Sequence, residues 1–317
     1  MRLLVTGATG FIGGAIARGA ASRGFEVATV HRGVPPAGLE ACESGTWEEW
    51  LASPPREPFD AMIHAAAVRH RPGIPAGEYV RTNGDLTAKA LRISSRLARR
   101  FVLVSSISVY GWPSRLPIDE SFPDAPVGEY GRSKADSERM VRESGQPFVI
   151  VQPSITYGPG DTNGMMEKIL RMVAGRFFVV PGLGRSRVQL VYIDDLADMT
   201  LAACATEASL GQRFIATFRD PIAVADLVRL SSRAVGKWIP PFGPPVALLR
   251  MGALALEALD RAGLFGGREP PLTREKLATI SVDRCYRTAR MRAILGTEPR
   301  VGYEEGIGRT ARALGLA

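Results

Sequence analysis

Tyr130 and Lys134 stand four residues apart in Tyr130-Gly131-Arg132-Ser133-Lys134, a spacing that puts both on one face of a helix. An ammonium beside a phenol favours the phenolate and lowers the phenol pKa, so such a tyrosine can act as general acid or base at a hydroxyl or carbonyl. The pair alone would equally describe a surface tyrosine beside a solvated lysine. What strengthens it is the run Ser105-Ser106-Ile107-Ser108-Val109-Tyr110-Gly111, which ends the apolar strand Phe101 to Val104 on hydroxyls. In an open parallel sheet, ligands sit beyond the carboxyl ends of the strands, and hydroxyls there face a cofactor.

A third feature lies at the start of the chain, where Thr6-Gly7-Ala8-Thr9-Gly10-Phe11-Ile12-Gly13 follows the apolar strand Arg2 to Val5. Glycines at this spacing let the chain turn sharply, approach a pyrophosphate and start a helix close against the sheet. The helix N-terminus then presents backbone N–H groups and a positive dipole end to the phosphates. Glycines also serve ordinary turns, but here a strand precedes them, the amphipathic run Ile12 to Ala21 follows, and the strand Glu26 to Val30 closes a βαβ unit.

The elements that must position these groups follow from the same patterning. Strands are expected near 2–5, 26–30, 60–65, 101–105, 148–152 and 213–217, with helices between and no repeats or low-complexity tracts. This alternation predicts an α/β fold, a doubly wound parallel sheet of the Rossmann type with a smaller C-terminal substrate-binding lobe. Pro159, Gly160, Pro181, Gly182, Pro240 and Pro241 punctuate the lobe as loops. The expected division is a dinucleotide-binding domain of residues 1–157 with 188–218 and a substrate lobe of residues 158–187 with 219–317. Arg32 to Pro58 is weakly patterned, and no element is placed there.

In the order and spacing of its motifs the chain resembles the extended short-chain dehydrogenase/reductase superfamily, in particular its NAD-dependent epimerase/dehydratase branch. The resemblance runs nearly end to end. It takes in Gly7, Gly10 and Gly13, then Asp60-Ala61-Met62-Ile63-His64-Ala65-Ala66-Ala67 as the fourth strand, Asn83 before a long helix, Val104 to Gly111, and the Tyr130/Lys134 pair. It continues through Gln152-Pro153-Ser154-Ile155-Thr156-Tyr157-Gly158-Pro159-Gly160-Asp161, Val191-Tyr192-Ile193-Asp194-Asp195-Leu196-Ala197 and Ile294-Leu295-Gly296-Thr297-Glu298-Pro299, followed by Glu304-Glu305-Gly306. The resemblance implies that Tyr130 exchanges a proton with the substrate oxygen while hydride moves to or from the nicotinamide. It implies that Lys134 holds the nicotinamide ribose and tunes Tyr130, and that Ser106 hydrogen-bonds the substrate oxygen, with Ser105 and Ser108 as rival assignments. Asn83 is expected to brace the backbone. Cofactor contacts are expected from Gly7, Thr9, Gly10, Phe11, Ile12, Gly13, Arg32, Ala65, Ala66, Tyr130, Lys134 and Pro153. The usual Asp-containing third-strand motif of the family is missing, which leaves the adenine contacts open.

The end of the second strand reads Val30-His31-Arg32-Gly33, with no acid before Glu40. An acid there commonly takes the ribose 2′-hydroxyl of NAD, whereas an arginine accommodates the 2′-phosphate of NADP, so NADP is the expected cofactor. NAD stays open if Arg32 faces solvent.

Composition bounds the rest. With 317 residues, 45% of them hydrophobic, the chain can bury one α/β core and a smaller lobe. Cys42, Cys204 and Cys285 are widely spaced, which suits a reducing cytoplasm, and with His31, His64 and His70 they form no ligand pattern, so no metal is implied. Glycines interrupt the apolar N-terminus and argue against a secretion signal. Val246 to Leu259 carries Arg250 and Glu257 and is shorter than the roughly 20 residues a span needs, so it reads as an amphipathic helix. The net charge of +8 comes from dispersed basic residues without a nucleic-acid module. Arg92, Arg96, Arg99 and Arg100 are expected to form a solvated helix face, and Arg284, Arg287 and Arg290 another, solvated or anion-binding.

The partner is expected to be a small-molecule substrate. Sugar-nucleotide enzymes of the superfamily typically carry an arginine beside the corresponding strand, approximately where Val188 stands, with Arg185 and Arg187 nearby as a shifted phosphate clamp. Trp238 to Leu259, with Leu264 and Phe265, resembles instead the apolar lid of the 3β-hydroxysteroid dehydrogenase and dihydroflavonol reductase-like branches; core packing or a homodimer face would account for it equally well. Ile107-Ser108 replaces the acid pair expected of a dehydratase. The expected activity is hydride transfer at a secondary alcohol or ketone, the alternative a nucleotide-sugar 4-epimerase or 4-ketoreductase. A non-catalytic scaffold would have no use for Ser106, Tyr130 and Lys134 together.

Overall fold

The computed structural model describes residues 1–31, 37–40, 42–68, 77–113, 115–162, 164–176, 180–239, 243–266 and 270–317. Arg32, Gly33, His70, Pro240 and Pro241 lie outside the described residues.

The chain opens with β1 (Arg2–Thr6), α1 (Phe11–Ala21), β2 (Glu26–Val30), β3 (Glu43–Gly45) and α2 (Trp47–Ala52), then β4 (Ala61–His64), α3 (Glu78–Leu97) and β5 (Phe101–Val104). A 3-10 turn over Ile107–Tyr110 leads to α4 (Gly128–Glu143) and β6 (Phe148–Pro153). There follow β7 (Ile155–Tyr157), α5 (Met165–Ala174), β8 (Arg187–Val188), β9 (Leu190–Tyr192), α6 (Ile193–Ala205), β10 (Arg213–Ala216), β11 (Ile222–Ala223) and α7 (Val224–Val235). The last helices are α8 (Val246–Arg261), α9 (Arg274–Ser281), α10 (Ala289–Leu295) and α11 (Tyr303–Ala313).

Seven strands form one parallel sheet in the order β10-β6-β5-β4-β1-β2-β3. The order reverses between β1 and β4, which opens a crevice at their carboxyl ends. Successive side chains of a strand point to opposite faces. Leu3, Val5 and Ile63 accordingly pack with Ile16 and Ala17 of α1 and Leu196 and Met199 of α6, while Leu4 and Met62 pack with Ile93 of α3, Val141 of α4 and both tryptophans of α2. A further core joins Met166 and Leu170 of α5, Leu227 of α7 and Ile307 of α11 around Val188, Leu190 and Tyr192.

The six expected strands are all present. The weakly patterned stretch after β2 adds β3 and α2, and α2 opens on a capping box: Thr46 Oγ1 accepts from Glu49 N at 3.3 Å and Glu49 Oε2 accepts from Thr46 N at 2.6 Å. Trp50 then donates from Nε1 to the Thr29 carbonyl at 3.1 Å, tying α2 to the sheet. Two arginine groupings need correction. Arg99 and Arg100 follow the end of α3, and Arg100 pairs with Glu207. Arg284 and Arg287 lie in extended chain before α10, so their three-residue spacing with Arg290 makes no helical face.

Candidate active site at the carboxyl edge of the sheet

Gly7 leaves β1 with φ of +73°, a conformation open to glycine, and a Cβ there would lie 2.6 Å from the Ala66 backbone nitrogen. The Gly10 N–H donates to the Gly7 carbonyl at 2.9 Å, and a Cβ on Gly13 would lie 2.3 Å from that same carbonyl oxygen. The turn therefore packs against the end of β4 on one side and the first turn of α1 on the other. No side chain among the described residues caps α1 at Gly10, and its first turn carries no acid, so the positive end of its dipole stands at the carboxyl edge of the sheet. Thr9 is exposed and Phe11 and Ile12 are half-buried beside it.

Ala65 and Ala66 continue β4 into the crevice, held by bonds from their N–H groups to the Thr6 carbonyl and hydroxyl, both at 3.3 Å. Thr6 Oγ1 meets His64 Nδ1 at 2.8 Å, and burial, helped by the Lys134 charge, pushes the His64 pKa down to about 3. His64 is thus a neutral brace between strands.

The hydroxyls after β5 divide into two roles. Ser105 donates to Glu138 Oε1 at 2.5 Å and is committed inward. Ser106 and Ser108 stand side by side, their hydroxyls 3.0 Å apart, and Ser106 Oγ also accepts from Ser108 N at 3.1 Å. Ser105 is thus engaged by Glu138, while the Ser106 and Ser108 hydroxyls bond to each other.

Tyr130 lies in the first turn of α4, half-buried, with Lys134 Nζ 6.0 Å from its ring centre. Lys134 is buried and donates to the Val104 carbonyl at 3.1 Å, the last residue of β5. Desolvation lowers its pKa to about 8, against the opposing pull of Glu138. Pro153 closes β6 at the same edge. The structure thus brings Gly7, Ala65, Ser106, Lys134 and Pro153 to the carboxyl ends of neighbouring strands. Arg32, on the expected cofactor list, lies outside the described residues.

Sequence reasoning missed what stands behind Lys134. Glu138, one turn further along α4 and fully buried, accepts from Ser105, from Gln152 Nε2 at 2.8 Å and from Arg142 Nη1 at 3.0 Å. Gln152 Oε1 in turn accepts from the buried Tyr110 hydroxyl at 2.6 Å. The signal was available, since Tyr130, Lys134 and Glu138 follow an i, i+4, i+8 spacing. Asn83 is inside α3 rather than before it; its Oδ1 accepts from Val68 N at 2.7 Å and its Nδ2 donates to Ser133 Oγ at 2.9 Å, bracing α4 against the strand-four loop.

Above the serine run, the Arg284 guanidinium stacks 3.8 Å from the centre of the Trp112 ring, and the Arg284 N–H donates to the Arg187 carbonyl at 2.8 Å. Val188 is fully buried in the further core, while Arg185 and Arg187 are exposed.

The family model for the NAD dependent epimerase/dehydratase family matches residues 3–215, from β1 into β10. The chain belongs to this family. Among curated members, this epimerase/dehydratase chain is 28% identical to the 2-alkyl-3-oxoalkanoate reductase of Stenotrophomonas maltophilia, over 98% of each chain. It is 27% identical to the 4-hydroxy-2-methyl-3-oxo-4-farnesyl-3,4-dihydroquinoline-1-oxide ketoreductase of Stigmatella aurantiaca, over 97% of this chain and 95% of that one. The crystal structure of UDP-glucuronic acid 4-epimerase from Bacillus cereus in complex with NAD superposes with a TM-score of 0.76 at 18% identity, over 99% of each chain, which shows the shared fold. No helix among the described residues is long and apolar enough to cross a membrane.

Proposed function

We propose that this chain is an NAD(P)-dependent oxidoreductase acting at the carbon of a secondary alcohol or ketone, with Tyr130 as the proton donor or acceptor at the substrate oxygen. The observation that carries the reading is the placement of Lys134, bonded to the Val104 carbonyl at the end of β5 and beneath the Tyr130 ring, with the Ser106 and Ser108 hydroxyls following the same strand. The backbone cradle of Gly7, Gly10 and Gly13 and the uncapped α1 N-terminus fit a pyrophosphate. Thr9, Phe11, Ile12, Ala65, Ala66 and Pro153 would line the same cofactor, with Lys134 at the nicotinamide ribose. A bound nicotinamide would supply or accept the hydride. Ser106, aided by Ser108, would hold the substrate oxygen while Tyr130 moves its proton.

A free-standing ketone fits better than a sugar nucleotide. Val188, near the place where the resemblance leads one to expect a phosphate-binding arginine, is buried, and two relatives matched over nearly their full length are named as reductases of 3-oxo compounds. The nucleotide-sugar 4-epimerase reading draws on the exposed Arg185 and Arg187. We take NADP as the preferred cofactor because the sequence at the end of β2, Val30-His31-Arg32-Gly33, offers an arginine and no acid to the ribose 2′ position. Residues 158–187 and 219–317 would form the substrate lobe.

The reading is tested by incubating the protein with NADPH or NADH and a panel of hydrophobic 3-oxo acids and ketones. Stoichiometric oxidation of the nucleotide, faster with NADPH, is expected. Selective thermal stabilisation by UDP, dTDP or GDP, lost on replacing Arg185 or Arg187, would instead favour the epimerase.

Lys134 sets a pH dependence. With its pKa near 8, the group is an ammonium below that pH and neutral above it, so its support of the Tyr130 phenolate is present below about pH 8 and lost as pH rises through it. The kcat/KM of the reduction should fall above about pH 8, and Lys134→Met should lower activity and flatten that limb. An unchanged limb in the variant would remove Lys134 from the proton step.

A further inference from the structure

Helix α8 turns its apolar side outward. Of its residues Ala253 alone is buried, with Leu249 and Leu256 half-buried on the same side. At about 100° per residue, Leu248, Met251, Leu254, Ala255, Ala258 and Leu259 share an outer arc of roughly 140° that contains no charged residue. Leu248 is 60% exposed, Met251 68%, and Leu254 and Leu259 44% each. Leu264, whose N–H donates to the Leu259 carbonyl at 3.1 Å, prolongs the row at one end. The exposed Leu183 prolongs it at the other, where the Gly182 N–H meets the Pro244 carbonyl at 3.1 Å. A continuous apolar strip of this kind marks a docking surface.

Charge selects the occupant. Arg250 and Arg261 stand along one margin of the arc, and Glu257 beside them is neutralised by Arg274, whose Nε lies 2.9 Å from Glu257 Oε2. An apolar face flanked by arginines, on a chain of net charge +8, matches an interface of acyl chains below anionic headgroups. A second copy fits less well. The apolar face of α8 itself, about 24 Å long and less than the 10–12 Å helix diameter across, is far short of the roughly 800 Å² per partner buried in stable dimers.

We propose that α8 docks this protein on an anionic lipid surface, with Leu248, Met251 and Leu259 in the acyl–headgroup boundary and Arg250 and Arg261 among the headgroups. The same lobe borders the candidate active site, because α9 is tied to α8 through Arg274 and the chain leaving α9 brings Arg284 onto Trp112. An amphiphilic ketone could then be collected from the bilayer where it dissolves. That last step rests on the proposed activity; the lipid contact does not.

Flotation of the full chain with vesicles of phosphatidylcholine, with and without phosphatidylglycerol, tests the contact without any turnover. The wild type should float with phosphatidylglycerol vesicles. The double variant M251E/L259E should bind at least about ten-fold more weakly, and R250Q/R261Q should lose the preference for the anionic lipid. Wild-type protein left in the dense fraction with both vesicles would overturn the proposal, as would equal flotation of M251E/L259E. A solution dimer dissolved by M251E/L259E without flotation would assign the face to a second copy instead. Failure of every ketone in the turnover assay would leave a positive flotation result standing, so the two readings fail separately.

Discussion

Tyr130→Phe is expected to keep cofactor affinity and lose turnover by a factor of about a hundred or more. The substitution removes the one transferable proton and leaves the ring, so its packing over Lys134 at 6.0 Å is retained. Lys134 itself is anchored on the Val104 carbonyl, a contact that does not involve the phenol, and Asn83 holds this helix turn from the other side through Ser133. A loss confined to kcat, with nucleotide titrations and thermal unfolding unchanged, is the pattern of a group that acts in the transition state. Near wild-type turnover in the variant would exclude Tyr130 as the proton donor and shift attention to Ser106 and Ser108.

Gly13→Val should abolish measurable nucleotide binding. The Cβ would sit 2.3 Å from the Gly7 carbonyl oxygen and 2.6 Å from its carbon, backbone atoms that cannot turn aside as a side chain can. Relief requires α1 to move away from the turn, which withdraws the uncapped N–H groups from any pyrophosphate. The same displacement strains a packed core, at a cost of about 1–3 kcal/mol, so a lower unfolding midpoint should accompany the loss. Gly10→Ala is the graded control, because its Cβ would lie 3.2 Å from the same oxygen and a shift of a few tenths of an ångström accommodates it. Nucleotide titration by fluorescence, read beside thermal unfolding, checks both. Wild-type affinity in Gly13→Val would mean that the pyrophosphate lies elsewhere.

The parts of the fold legible in the sequence are those fixed by local pattern. Each of the strands β1, β2, β4, β5, β6 and β10 is an apolar run bounded by polar or turn residues, and burial on both faces of a parallel sheet requires such runs. Strand β3 escaped notice because Glu43-Ser44-Gly45 has no apolar pattern; it is held at the sheet edge by pairing with Ala28, Thr29 and Val30. The capping box of α2 is legible in Thr46 and Glu49, three apart. The candidate site divides in the same way. Gly7, Tyr130 and Lys134 announce themselves by spacing, whereas the engagement of Ser105 by Glu138 joins residues 33 apart in sequence and leaves no local pattern. Gln152 and Tyr110 were invisible as partners for the same reason, since nothing local links residues 42 apart. The arginines show the opposite error: a regular spacing in Arg284, Arg287 and Arg290 suggested a helix where Tyr286 instead bridges to Ile118 in extended chain.

The most direct test of net reduction at a ketone is isotopic. NADPH deuterated at nicotinamide C4 is supplied with a 3-oxo substrate that the protein turns over, and the products are examined by mass spectrometry and NMR. The expected result is one deuterium at the new carbinol carbon for each oxidised nucleotide released, with the signal lost in Tyr130→Phe. Retention of the nucleotide through many turnovers, with a sugar nucleotide inverted at one carbon and no net oxidation, would contradict it.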